Sequence, residues 1–329
     1  MSDFTDPLFL TKLKNKTKFY QMNALNNKEF KPIPQLVPNV FSAIGSTLLA
    51  GREKGGKSFM MMDLLLGVSH SGMFMGHSME PYAGDVLYLA LEDNEQRMGL
   101  RGQKLGYATF NNQMTILHQA GRIGDEVSCI SQIEYWHRLV KNKGRIPRAV
   151  VVDTLNFVRP IVGKGQNPYQ NDCNDVKQLT EAAHNWGVAL FLVHHLNKKD
   201  ATNPNDKISG TTGLPASVDN VVVVWEKHDQ TILSVKSRDM DSGTYDVSFD
   251  KDSCKWQYLG QHNFDEDRQS EKTEKILEFL TLSGPSSPRD IADGCGINRA
   301  SIYTYLNRLN GKIEKSSHGI YGVKLTTVN

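Results

Sequence analysis

Short apolar runs and longer helical patterns alternate along most of this chain. Ser46–Ala50 is an apolar strand pattern, and Phe59–Val68 is apolar at nearly every position, the mark of a buried helix. After a glycine-rich break at Gly72–Gly76, Asp85–Leu91 is continuous enough for a strand covered on both faces. Glu92-Asp93-Asn94 then opens a helix with Arg97 and Arg101 on one side, and Met114–Leu117 reads as another strand. Ile130, Ile133, His137 and Val140 recur at helical spacing, and Arg148–Asp153 is a strand ending in a carboxylate. A polar loop, 163–174, precedes a helix carrying Val176, Leu179, Ala183 and Trp186, which Gly187 ends. Val188–Val193 delivers His194 and His195 to a polar loop, Asp200–Gly213. A strand at Asn220–Trp225 and a hairpin-like pair, Thr231–Lys236 and Thr244–Phe249, follow. Strands alternating with helices, and then strands alone, predict an α/β domain: a mostly parallel sheet with antiparallel additions at one edge.

The two ends of the chain break this pattern. Residues 1–39 are polar and basic, with Lys12, Lys14, Lys16 and Lys18 followed by Pro32, Pro34 and Pro38, and read as an arm before a domain at 40–262. Residues 263–272 are charged and lack large aliphatics, which predicts a linker. Residues 273–329 form a second, small domain. It has a helix at Thr273–Leu282, a short helix from Pro288, a third at Arg299–Leu309 capped by Asn298, and a β pair turning at Ser317-His318-Gly319. Helix, short helix, helix and hairpin is the layout of a winged helix. Arg299, Ser301, Tyr303, Asn307 and Arg308 on or near its third helix fit DNA binding. The balancing Glu271, Glu274, Glu278, Asp290, Asp293 and Glu314 fit protein docking.

The chemistry concentrates at Gly51-Arg52-Glu53-Lys54-Gly55-Gly56-Lys57-Ser58, a full match to G-x-x-x-x-G-K-[ST] between a strand and a helix. The glycines let successive N–H groups converge on an anion, and the helix adds the positive end of its dipole. Lys57 supplies a point charge for the β- and γ-phosphates, and Ser58 a hydroxyl for Mg²⁺. Gly51 through Ser58, together with Phe59, are the candidate nucleotide contacts. Asp153, at the carboxyl end of its strand, is placed to hold Mg²⁺ with Ser58, because ligands of open α/β sheets bind at that edge.

Composition changes this picture little. The chain of 329 residues has 38 Lys and Arg against 36 Asp and Glu, so any contact with nucleic acid must come from local patches. Cys129, Cys173, Cys254 and Cys295 lie far apart, which argues against a zinc site or a disulfide framework and fits a reducing cytoplasm. The start has no signal-peptide pattern, and no apolar run reaches membrane-spanning length.

Taken together, the phosphate loop, Ala90-Leu91-Glu92-Asp93, the strand ending at Asp153, His194-His195-Leu-Asn-Lys198, Gly210-Thr-Thr-Gly213 with Asp219, and Lys236-Ser-Arg238 resemble the RecA-type hexameric P-loop ATPases, closest to the plasmid RepA-like replicative helicases. The resemblance spans roughly Phe41–Phe249. It implies ATP and Mg²⁺, a homo-oligomer, a hexamer in the family pattern, and single-stranded DNA as partner, with a replication protein met through the C-terminal domain. It places the catalytic carboxylate at Glu92 or Asp93, with Lys57 on the phosphates and a γ-phosphate relay at His195 or its neighbour His194. Lys236 and Arg238 would be a basic finger acting in the neighbouring subunit. By composition, Lys198, Lys199 and Lys207 are either contacts to a nucleic-acid backbone or a solvated charged loop, with Lys164 and Tyr169 in a second candidate loop. A nucleotide-switched DNA-binding regulator or helicase loader is the alternative, and a small-molecule kinase a more distant one.

Overall fold

The computed structural model describes residues 28–107, 111–161, 167–197, 204–227, 230–316 and 318–324, with short pieces among the first 27. The expected loop residues Lys164, Lys198 and Lys199 lie outside the described residues, as does most of the N-terminal arm.

A nine-stranded sheet organises the fold. Its strands in chain order are β1 (Gly45–Gly51), β2 (Asp85–Ala90), β3 (Met114–Leu117), β4 (Pro147–Asp153), β5 (Ala189–His195), β6 (Asn220–Lys227), β7 (Gln230–Ser237), β8 (Gly243–Asp250) and β9 (Lys255–Gln261). Across the sheet they run β3-β2-β4-β5-β1-β6-β7-β8-β9. The neighbours from β3 to β6 are parallel, with Thr47 opposite both Phe191 and Asn220. β6 to β9 follow one another through short connections, which suit antiparallel neighbours. The mostly parallel sheet with additions at one edge is therefore found, and it is the RecA-type P-loop arrangement. The last strand, β9, escaped the sequence pattern because Trp256 is its one fully buried side chain.

Helix α1 (Lys57–His70) is buried around most of its circumference, with Met60, Met61, Leu64, Leu65, Leu66 and Val68 all fully covered. That explains its unbroken apolar sequence. A core of Leu48, Leu89, Val150, Val152, Leu190 and Leu192 packs with Ile133, Trp136 and Val140 of α3 (Cys129–Asn142) and with Val176, Leu179 and Ala183 of α4 (Pro168–Trp186). Between α1 and α3, α2 (Glu95–Lys104) starts at Asn94, whose side chain accepts from the Arg97 N–H.

Three sequence boundaries move. The core begins before residue 40, because Gln35–Val37 pairs antiparallel with Phe41–Ser42. Asn39 takes the left-handed turn position (φ 57°) and donates its N–H to Gln35 Oε1. Helix α4 starts at Pro168, inside the expected loop, because Asn167 caps it and proline suits the first helical position. Residues 264–272, expected as linker, are the first turns of α5 (Phe264–Ser283). Their Glu, Lys, Gln and Arg content favours helix.

The chain divides into two compact units: 1–225 with 234–242 and 249–257, and 226–233 with 243–248 and 258–329. The division therefore runs through the last four strands instead of falling after residue 262. The second unit has its own core of Ile276, Leu280, Ile291, Ile302, Leu306 and Tyr321. These come from α5, from α6 (Pro288–Cys295, capped by Ser287), from α7 (Ile302–Arg308) and from the pair Ile313–Lys315 and Tyr321–Val323. Asn298–Ser301 forms a turn before α7, so the third helix starts later than the Asn298 signal predicts.

Candidate nucleotide site

The phosphate loop joins β1 to α1 at the carboxyl edge of the sheet. Gly55 donates its N–H to the Arg52 carbonyl (3.2 Å), closing the turn, and Gly56 sits at φ 78°, a conformation that favours glycine. Lys57 folds back over the loop, and its Nζ donates to the carbonyls of Gly51 (2.9 Å) and Arg52 (2.7 Å). Burial pushes its ammonium down to about 8, against the pull of Asp153, Glu92 and Glu53.

A cleft of about 640 Å³ opens beside the loop. Lys54, Gly55, Gly56, Lys57, Ser58 and Phe59 line one side, with Glu92, Asp93, Asp153 and His195 from the neighbouring strand ends. These residues, far apart in sequence, meet because β1, β2, β4 and β5 are parallel and end at one edge. Gly51 and Arg52 serve through their carbonyls, and Glu53 acts on Lys57 only through its charge.

Asp153 is buried, and its Oδ2 accepts the Tyr88 hydroxyl at 2.6 Å. Burial raises its carboxyl pKa, while hydrogen bonds from Tyr88 and Ser58 pull it down. The Asp153–Thr154 peptide is cis. Among the described residues no group of three or more His, Cys, Asp or Glu could hold a metal by itself. The Ser58–Asp153 oxygen pair fits Mg²⁺, which keeps much of its shell as water and substrate phosphate.

The two acidic candidates have different surroundings. Both oxygens of Asp93 are engaged: Oδ1 accepts from Arg97 (2.8 Å), and Arg101 reaches Oδ2 and, at 3.3 Å, Oδ1. Glu92 is more open, with a side chain 41 % exposed. Its Oε1 accepts from Thr154 Oγ1 at 3.0 Å and lies 3.7 Å from His195 Nε2. The two histidines diverge as well. His194 is fully buried and donates from Nε2 to the Ser209 carbonyl (2.8 Å), and burial pushes its pKa down to about 4. His195 lines the cleft.

The segment after β5 returns to that strand's end. Leu196 bridges Ile208, and the Ser209 N–H donates to the His195 carbonyl. Lys207 lies 4.3 Å over the Trp225 ring, so its charge is seated on an aromatic face. Thr211 donates through both its N–H and its hydroxyl to Asp172, which also pairs with Arg159.

Lys236 and Arg238 do not line this cleft. Both are exposed, and Arg238 lies one residue past the end of β7 rather than on the strand. Its Nη2 donates to the Ala216 carbonyl (2.5 Å), and its Nη1 lies 4.0 Å from Asp219. Asp219 in turn accepts the N–H of Ser46, at the start of β1 (2.8 Å). Arg238 therefore sits at the amino edge of β1, roughly 20 Å from the phosphate loop at 3.3 Å per strand residue.

Sequence reasoning missed further lining residues, Phe249, Lys251 and Cys254 with Arg97 and Arg101 from α2. Trp256, packed on Phe249, donates its indole N–H to the Gly56 carbonyl. No local motif marks these positions.

Residues 12–201, more than half of the chain, match a family model described as "AAA domain". No curated protein matches the sequence. A solved structure described as "The Structure Of A DnaB-Like Replicative Helicase And Its Interactions With Primase" is similar over 78 % of this chain and 67 % of its own, at 15 % identity and a TM-score of 0.52. A likeness at that identity speaks for a shared fold. With a RecA-type P-loop core and a family match across most of it, the chain belongs to the AAA-domain family.

Proposed function

We propose that this chain is the subunit of a ring-forming, DNA-dependent ATPase, a replicative DNA helicase of RepA type serving plasmid, phage or mobile-element replication. The observation that carries it is the split between cleft and finger. The cleft gathers a phosphate loop, two magnesium-competent oxygens and a carboxylate, while the basic pair Lys236 and Arg238 stands about 20 Å away at the opposite sheet edge. Head-to-tail packing in a ring sets one face of a subunit against a different face of its neighbour, and in this reading it carries the basic pair to the next subunit's cleft. The similar helicase fold adds support.

In this reading Lys57 binds the β- and γ-phosphates, and Ser58 and Asp153 hold Mg²⁺, which supplies charge neutralisation on the phosphates. Glu92 orients and polarises the attacking water. Asp93, neutralised by two arginines, positions α2 instead. His195 touches both Glu92 and the returning loop, so it can pass the state of the site to Lys207 and to single-stranded DNA. Glu92→Gln should keep ATP binding and lower hydrolysis by about 10²–10⁴. Asp93→Asn should cost stability more than turnover. Single-turnover hydrolysis beside nucleotide titration separates the two, and the reverse pattern moves the base to Asp93.

A second prediction concerns pH. Bound phosphate keeps Lys57 protonated, whereas the free protein loses that proton near pH 8. ATP binding should therefore take up a proton above about pH 8, with affinity falling up to about tenfold per pH unit. Calorimetric titration in buffers of different ionisation enthalpy reads that uptake directly.

The three helices and β pair of the second unit favour one further reading, a winged-helix regulator or helicase loader. Unwinding of a forked duplex distinguishes them. The helicase separates the strands with ATP and single-stranded DNA stimulates its turnover, whereas a loader or regulator binds DNA without separating it.

A further inference from the structure

We propose that Trp256 is a positioning residue of the nucleotide site, holding the phosphate loop ready for phosphate. This rests on the proposed nucleotide site and adds a residue that no phosphate-loop motif contains. Trp256 comes from β9, 200 positions along the chain from Gly56, and is 4 % exposed. Its indole Nε1–H donates to the Gly56 carbonyl at 3.2 Å. The ring lies flush against the glycine: a Cβ at Gly56 would stand 3.0 Å from Trp256 Cζ2 and 3.3 Å from Nε1. Phe249 packs on the indole at 5.0 Å and on Phe59 at 6.2 Å, so a row of rings runs from the cleft wall to the back of the loop.

The peptide plane gives this contact its consequence. The Gly56–Lys57 bond is trans, so the Gly56 carbonyl and the Lys57 N–H point in opposite directions within one rigid plane. Gly56, at φ 78°, is the loop residue freest to rotate that plane. Its carbonyl already accepts the Met60 N–H at 2.9 Å in the first turn of α1. The indole takes the carbonyl's remaining capacity and fixes the plane from behind, which aims the Lys57 N–H away from Trp256. An anion nest binds well when its N–H groups converge before the ligand arrives, because no ordering cost is then met on binding.

Replacing Trp256 by 3-benzothienylalanine keeps the ring volume and removes the N–H donor. That variant should melt like the wild-type protein, yet raise the ATP dissociation constant and KM about fivefold, the worth of one hydrogen bond. The fall in kcat should be smaller. Trp256→Phe should show at least the same weakening. Wild-type ATP affinity in the benzothienyl variant overturns the role and leaves Trp256 as packing only. Lys57→Ala, titrated alongside, keeps the two claims apart. Normal ATP binding in Lys57→Ala overturns the nucleotide site and this role with it, whereas a Lys57→Ala defect beside a normal benzothienyl variant removes the role of Trp256 alone.

Discussion

Lys57→Ala should lower ATP hydrolysis by about a thousandfold or more while leaving thermal stability close to that of the wild-type protein. The rate effect follows from removing a preorganised charge from a water-poor site, where single donors are already worth about 10²–10³. The stability expectation follows from what holds Lys57. Its ammonium is buried with two carbonyls of its own loop as partners, and burial outweighs the nearby carboxylates in lowering its pKa. A cation held at such an energetic disadvantage contributes little to the fold, so truncating it removes a desolvation cost along with two hydrogen bonds. Steady-state hydrolysis and thermal melting, run on the same preparation, check both halves. Normal turnover in a normally folded variant would remove the phosphate-loop assignment.

Arg238→Ala carries the larger expected loss. A finger contributes about 10³–10⁵ in rate in phosphoryl-transfer enzymes that use one. The variant should fold, because the side chain is 58 % exposed and its contact with Asp219 is 4.0 Å long. Exposed pairs of that kind are worth about 1 kcal/mol or less. It should also bind ATP, since nothing near Arg238 lines the cleft of its own subunit. Binding retained with hydrolysis lost is the expected pair of results. Loss of binding would place Arg238 in its own site, and unchanged hydrolysis would leave it a surface arginine.

The phosphate loop was legible because eight consecutive residues carry its chemistry between a strand and a helix. The meeting of Asp153, Glu92 and His195 at one cleft was legible through one topological rule: parallel strands deliver their final residues to a common edge. The choice within each adjacent pair was not, since it depends on which side-chain contacts form in the folded chain. Arg101 commits Asp93 to an ion pair, and the Ser209 carbonyl turns His194 away from the cleft. Trp256 was invisible for the same reason, its partner lying 200 positions away. Elsewhere local signals were present but outweighed by composition. Asn167-Pro168 is a helix start inside a polar stretch read as loop, and the charged residues after Asn263 are helix formers read as linker.

The central claim is that active sites form between subunits, and mixing Lys57→Ala with Arg238→Ala protein tests it most directly. In a mixed ring, some interfaces pair an intact Lys57 from one subunit with an intact Arg238 from the next. Hydrolysis that neither variant shows alone should then return, rising with the proportion of mixed interfaces. Native mass measurement establishes that mixed rings have formed and bind ATP. No recovered hydrolysis in such rings would contradict an arginine acting across the interface.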